Sequence, residues 1–422
     1  MTLREECFVY IQLPQSAEVV TCGRFVREQN GFGDTLGRFV YGKRYREHPL
    51  AVPLDPIHVP LSGNTYETTK LGGVFGAIRD ASPDAWGRRV IAHALGKLDV
   101  GEIEYLLHSP EDRVGALSFG PGTVPPPPHR PFNSTVHLET LLEAAQRFEA
   151  LAPGDPVPAA LQRLQSLVEA GTSMGGARPK NVVVDDDGLW LAKFPARGDR
   201  WNNAAVEAAL LFIARQCDIR VPTYRIERVG TASVLLLRRF DRERLAGHPT
   251  QYSRARMVSA LTVLDAEETH DRQRWSYLLL GDELQRWSSR AAHDRAELFR
   301  RMVFNALVTN NDDHPRNHAF VAHSAEWRLS PAYDLTPAPL HADERDLAMI
   351  CGSVAGRRAT RANLLSGCLR FGLTADEAAQ TIDRLRSIVT TTWESAILSH
   401  GGTRADCEAV RPAFEIPGFD AL

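Results

Sequence analysis

Cysteine is scarce and scattered in this chain of 422 residues: Cys7, Cys22, Cys217, Cys351, Cys368 and Cys407, with no C-x-x-C pair and no histidine at zinc-finger spacing. That pattern argues against a disulfide framework or a zinc ribbon and fits reduced thiols. Long apolar runs are missing too; none approaches the roughly 18 residues expected of a membrane-crossing helix. The opening Met-Thr-Leu-Arg-Glu-Glu-Cys places two acids where a secretory signal carries a basic flank and an apolar core, so a cytoplasmic protein with no membrane partner is expected. Neither charge sign dominates. The formal net charge of −3 argues against a chain built mainly to coat nucleic acid. Internal repeats and low-complexity tracts are absent as well.

What is present is ordinary globular text, 43% hydrophobic and 24% charged, long enough for two or three cores, since single cores rarely exceed roughly 250–300 residues. Short apolar runs at Phe8–Leu13, Val19–Thr21 and Arg38–Tyr41, broken by Gly, Pro and Asn, read as strands and hairpins. Helical text follows over Gly73–Leu107, with Ser82-Pro83-Asp84 as a start signal. We therefore expect a β-rich module with closing helices over 1–120 and a stiff proline-rich linker over 121–134 around Pro125–Pro128. A small lobe over 135–245 and a mostly helical lobe over 246–422 come next. Helices are expected at Leu138–Ala150, Ala159–Ala170, Ala204–Cys217, Met257–Leu264, Trp275–Trp287, Arg295–Val308, Arg361–Phe371 and Asp376–Leu398.

The most informative stretch is Asn310-Asn-Asp-Asp-His-Pro-Arg-Asn317, where Asp312 stands five residues before Asn317. In a protein-kinase catalytic loop, D-x-x-x-x-N, the Asp accepts the attacking hydroxyl's proton and the Asn helps to hold a metal on the phosphates. Only Asp312 has that spacing; Asp313 does not. Two short apolar runs, Ala319–Val321 and Trp327–Leu329, then read as a hairpin that returns Asp334 beside Asp312, as a second magnesium ligand. Upstream, Gly175, Gly176 and Ala177 lie in a turn whose backbone N–H groups can approach phosphate, with Arg178 and Lys180 adding positive charge. The hairpin Asn181–Val184 and Leu189–Phe194 places Lys193 on a strand. Lys180 and Lys193 are both candidates for phosphate. Lys193 is favoured, because a lysine on an apolar strand needs an anionic partner, and Glu207 on the following helix can supply one. Arg238 to Phe240, after the Val234–Leu237 strand, stand where a hinge meets adenine. Glycine loop, strand lysine, helix glutamate, hinge and catalytic loop occur in kinase order.

Each motif has a plainer reading. Asn and Asp are common in local turns, and a lysine on an exposed strand face needs no ligand. The arginines at 238, 239, 242 and 244, alternating with Asp241 and Glu243, read as a solvated turn. His314, with His318, His323 and His341, suggests a metal-dependent phosphohydrolase as a rival. His314 and His318 would share a metal face only on a helix, which Pro315 disfavours, so His314 is expected to buttress the loop through a hydrogen bond.

Ser173-Met-Gly-Gly-Ala-Arg-Pro-Lys180, Leu191-Ala-Lys-Phe-Pro195, Asn311-Asp-Asp-His-Pro-Arg-Asn317 and Ser330-Pro-Ala-Tyr-Asp-Leu-Thr-Pro337 together resemble the signature segments of the HipA-type toxin kinases of bacterial toxin-antitoxin systems. Ala77–Trp86 and Arg113–Ser118 are similar to that family's first domain. The resemblance implies an α+β, two-lobed protein-kinase-like fold and a serine/threonine protein kinase using ATP and Mg2+. It implies a protein substrate such as an aminoacyl-tRNA synthetase, and a HipB-like helix-turn-helix antitoxin through which operator DNA is met indirectly. Carried over residue by residue, Asp312 looks like the base, Asn317 and Asp334 like metal ligands, and Lys193 like the phosphate-gripping lysine. Ser173 stands at the position where the family can phosphorylate itself. Asp313, where the best-known members have glycine, adds a carboxylate next to the base. A binding subunit without turnover and a small-molecule or lipid kinase are the alternatives.

Overall fold

Strand-like text in the first hundred residues becomes one antiparallel sheet in the computed structural model, which describes residues 3–110, 112–127, 133–151, 178–248, 250–269, 272–339 and 345–420. Its order is Thr65–Thr68, Thr35–Tyr41, Val19–Gln29, Leu3–Gln12 and Leu117–Gly120. A register shift at Val9/Tyr10 marks a bulge opposite Cys22 and Gly23. Glycine is required there, because a Cβ on Gly23 would lie 2.5 Å from the Val40 carbonyl oxygen.

The second sheet runs Asn133–Ser134, Lys180–Asp185, Gly188–Lys193, Ala232–Arg238, Tyr224–Val229. Alternate side chains serve two cores, as the period of two in a strand requires. Val182, Leu191, Leu235 and Leu237 pack with the helix Asn203–Gln216. Val183, Trp190, Ala192, Val234 and Leu236 instead pack with the helix Leu138–Glu149. Trp86 and Val90, from the helix Ala85–Leu95 of the N-terminal module, complete that second core. Asp84 caps this helix by accepting the Gly87 N–H at 3.0 Å.

The large lobe carries the helices Tyr277–Trp287, Ala291–Leu307 and Ala375–Ser399, the last opened by a Thr374/Glu377 capping box. A small antiparallel sheet, Arg256–Ser259, Ala319–Ala322 and Arg328–Leu329, holds the loop that follows Leu307. The expectation of a helix over Met257–Leu264 fails in its first half: Met257 to Ser259 belong to that strand, and the helix is Ala260–Val263. Hydrogen bonds to Ala319–Ala322 outweigh a pattern too short to distinguish the two periods. Residues 121–127 form neither helix nor strand, and the helix expected at Ala159–Ala170 lies outside the described residues.

Candidate active site

Lys193 ends its strand between Lys180 on one neighbour and Leu235 on the other. Its ammonium donates to Glu207 at 2.6 Å and also to Asp334. Burial opposes its charge, but the carboxylates of Asp334 and Glu207 outweigh burial and hold its pKa above the ordinary value. Helix Asn203–Gln216 supplies Glu207 because Asn202 caps its start, accepting from Ala205 at 3.1 Å. Asp334 arrives after the hairpin with φ at 53°, a left-handed conformation that Asp tolerates better than most residues.

Asp312 is exposed in the loop that follows Leu307. The Asn317 amide donates from Nδ2 to the Asp312 carbonyl at 2.8 Å, closing the five-residue interval. Tyr333, next to Asp334, donates to the Arg316 carbonyl at 2.8 Å, tying the two acid-bearing segments together. Asp312, Asn317, Asp334, Lys193, Lys180, Glu207, Arg178, Arg238, Phe240 and His314 all line one cavity of about 680 Å³, within the roughly 300–1,000 Å³ usual for ligand sites. Gly175, Gly176, Ala177 and Ser173 lie outside the described residues.

Three expectations change. Asp313 adds no exposed charge to the base: it is fully buried and accepts from Tyr277 at 2.5 Å and from the Ala348 N–H at 2.8 Å. Burial pushes its carboxyl up to about 7. His314 does not buttress the loop through its ring. Its Nδ1 is buried without a hydrogen-bond partner among the described residues, its ring meets Trp275 edge-on, and only its backbone carbonyl accepts, from Asn317 at 2.8 Å. His318 turns inward, 3.2 Å from the Tyr277 hydroxyl, and burial depresses its pKa to about 3.

The third change concerns the basic cluster read as a solvated turn. Arg239, Asp241 and Arg242 are buried, and only Arg238, Glu243 and Arg244 are exposed. Asp241 accepts from Arg239 at 2.7 Å, from Arg242 at 2.7 Å and from the Gly115 N–H at 3.0 Å. Arg239 also donates to the carbonyls of Asp112 and Arg113. Burial would raise the Asp241 pKa, but the two guanidinium groups hold it well below the usual carboxylate range. The segment that follows the Ala232–Arg238 strand is thus pinned by the N-terminal module. Phe240 stacks on Tyr333 at 5.9 Å.

That module also builds one wall of the cavity, through Arg79, Asp80, Ser82, Asp84 and Arg88. Sequence reasoning gave these residues no role in the site. Asp84 lies 3.1 Å from Lys180, which is 3% exposed. Burial lowers the Lys180 pKa and raises that of Asp84. A trace of this wall is visible in the sequence only as Arg79-Asp80 and Asp84, charges crowded at a helix start.

The HipA-like C-terminal domain family model matches residues 172–393, more than half of the chain. The chain belongs to that family. A Sinorhizobium fredii protein named "Putative kinase Y4dM" is 26% identical over 228 residues, covering 49% of this chain and 52% of that protein, so the chain spans about half the length of this curated relative. The HipA chain of the Shewanella oneidensis MR-1 complex of HipA, HipB and operator DNA matches with a TM-score of 0.68 at 17% identity, over 97% of this chain and 96% of that one. The proinflammatory kinase CtkA of Helicobacter pylori aligns over 57% of this chain and 92% of that one, with a TM-score of 0.36 and 14% identity. The HipA-like fold therefore extends over nearly the whole chain, and it is the α+β, two-lobed, kinase-type architecture. Among the described residues no helix is long and apolar enough to cross a membrane.

Proposed function

We propose that this HipA-like chain is an ATP- and Mg2+-dependent serine/threonine protein kinase of the cytoplasm. The observation that carries the reading is the convergence of Asp312, Asn317, Asp334 and the Lys193–Glu207 pair on one cavity. The residues present fit the donor. Lys193 is the cation for the α- and β-phosphates, Lys180 and Arg178 line the same cavity, and Gly175, Gly176 and Ala177 are proposed from the sequence to approach the phosphates. The Arg238–Phe240 segment borders the adenine end. Asn317 uses its amide nitrogen on the Asp312 carbonyl, which leaves its amide oxygen, together with the Asp334 carboxylate, for Mg2+, a hard cation that prefers oxygen. When bound, the metal neutralises charge on the phosphates. His314, which lines the same cavity, is proposed to stand by the same phosphates.

Asp312 orients the acceptor hydroxyl and takes its proton. A loose phosphoryl transition state asks little proton removal early, so an exposed carboxylate is adequate. Ser173 is the proposed self-phosphorylation position. A HipB-like helix-turn-helix antitoxin is the proposed partner, with operator DNA met through it, on the strength of the fold shared with the Shewanella HipA chain. The substrate is proposed to be a protein hydroxyl in the translation machinery.

Intact-mass analysis after incubation with ATP and Mg2+ tests the reading. Wild type should gain one phosphate, mapped to Ser173, and Asp312→Asn should slow that gain at least about 100-fold, the lower end for a lost general base. Equal gain in both proteins would remove Asp312 from the mechanism.

A further inference from the structure

Arg79 is less compensated than Arg88, the other arginine that the N-terminal module gives to the cavity wall. It sits on the short helix Gly76–Asp80, which the fold presses against the large lobe. A Cβ on Gly76 would lie 2.5 Å from the Thr262 hydroxyl oxygen. Asp80 locks that contact by accepting from the Ser259 N–H, the Ser259 hydroxyl and the Thr262 hydroxyl, each at 2.7 Å. Arg79 is therefore positioned by the large lobe although it belongs to the N-terminal module.

Among the described residues its guanidinium has one anionic partner, Glu268 at 3.0 Å. Glu268 also serves Arg316, which lies in the catalytic loop four residues after Asp312. Two guanidinium groups thus share the Glu268 carboxylate, with Asp80 a further 3.9 Å from Arg316. Arg88 nearby is already saturated by Glu102, with contacts of 2.6 and 2.7 Å. The second terminal nitrogen of Arg79, Nη1, is buried without a hydrogen-bond partner among the described residues. Burial first, and then repulsion from Arg316 and Arg88, hold the Arg79 pKa below its ordinary value. A buried cation with a spare donor is costly unless an anion completes it. The cavity that Arg79 lines also holds Asp312, Lys193 and Asp334, so an anion bound there lies beside the reacting groups.

We propose that Arg79 is a catalytic ligand of the phosphoryl group in transfer, an arginine delivered to the kinase cleft by the N-terminal module of the same chain. In that transfer the bond from the terminal phosphorus to the bridging oxygen of the nucleotide breaks and the bond to the acceptor oxygen forms. The acceptor's proton goes to Asp312 and ADP leaves. Charge spreads over the three equatorial oxygens meanwhile, and a preorganised guanidinium stabilises that charge without reorganising. The proposal rests on the kinase reading of the cleft.

The test measures ADP binding to the full-length protein with Mg2+, with and without fluoroaluminate, a mimic of the phosphoryl group in flight. In wild type, fluoroaluminate should tighten ADP at least about tenfold. Arg79→Gln should lose that tightening while binding ADP alone within about threefold of wild type, and Arg79→Lys should recover part of it, since lysine keeps the charge but not the two-pronged donor geometry. Tightening retained in Arg79→Gln would overturn this inference and leave the kinase reading intact. Parallel loss of ADP affinity and melting temperature would also overturn it, by making Arg79 a structural residue. No tightening in wild type would overturn the kinase reading, and the inference with it. Should Arg79→Gln fail to fold, Arg79→Lys decides, and a tightening equal to that of wild type would sink the proposal.

Discussion

After the Ala232–Arg238 strand, Asp241 takes donors from Arg239, Arg242 and the Gly115 backbone, and the same arginines also donate to carbonyls of the N-terminal module. In the cleft wall, Arg79 and Arg316 share Glu268, and one Arg79 nitrogen has no partner among the described residues. Both clusters use arginine and carboxylate, and both join the N-terminal module to the rest of the chain. Both clusters line the same cavity. The first is closed on its own carboxylate and backbone carbonyls, whereas the second leaves one Arg79 nitrogen without a partner among the described residues. A buried ion pair is weak evidence for stability when whole, yet breaking one strands a charge. Saturation therefore marks a joint, and deficiency marks a place for a ligand.

Substitution separates the two. Asp241→Ala leaves two buried guanidinium groups facing each other and should cost about 3–5 kcal/mol in denaturant unfolding; a loss under about 1 kcal/mol would mean this joint opens to water. Asp313→Asn asks how a third buried acid compares. Its folded-state pKa of about 7 lies above the ordinary 3.8, so the native state holds a proton that the unfolded chain gives up. That contribution is fully present below the unfolded value and is lost as pH rises through about 7. Between pH 5.5 and 8, Asp313→Asn should thus gain on wild type by about 2 kcal/mol, and unfolding at the two pH values checks this. Glu268→Ala, at a side chain 40% exposed, should cost no more than about 1 kcal/mol. A larger loss would place the cleft wall with the Asp241 joint, as structure and not as site.

How far the sequence foretold this molecule depended on the range of the interaction. Lys193, Glu207, Asp312, Asn317 and Asp334 were legible because spacing and local pattern fix them, and the fold brings all five to one cavity. The hairpin of Asn181–Val184 and Leu189–Phe194 was likewise anticipated, from its acidic turn, and the strands are Lys180–Asp185 and Gly188–Lys193. Charge partners were not legible. Nothing in the text of Arg239-Phe-Asp-Arg242 tells a solvated turn from a buried one, since the deciding carbonyls lie at Asp112 and Arg113, more than a hundred residues earlier. Asp313 looked like a second acid at the site because its inward partner, Tyr277, comes from a different helix. The cleft wall was missed for the same reason. Arg79 meets Glu268 across a separation that no periodicity records.

The N-terminal module grips both lobes. Trp86 and Val90 are sunk in the small-lobe core, whereas Asp80, a few residues earlier, is bonded to Ser259 and Thr262 of the large lobe. Only Ala81 to Ala85 separate the two anchors, less than two turns of chain. Any rocking of one lobe against the other pulls on that short tether from both ends. The module thus straps the two lobes together along the cavity wall that carries Arg79, Asp80 and Asp84.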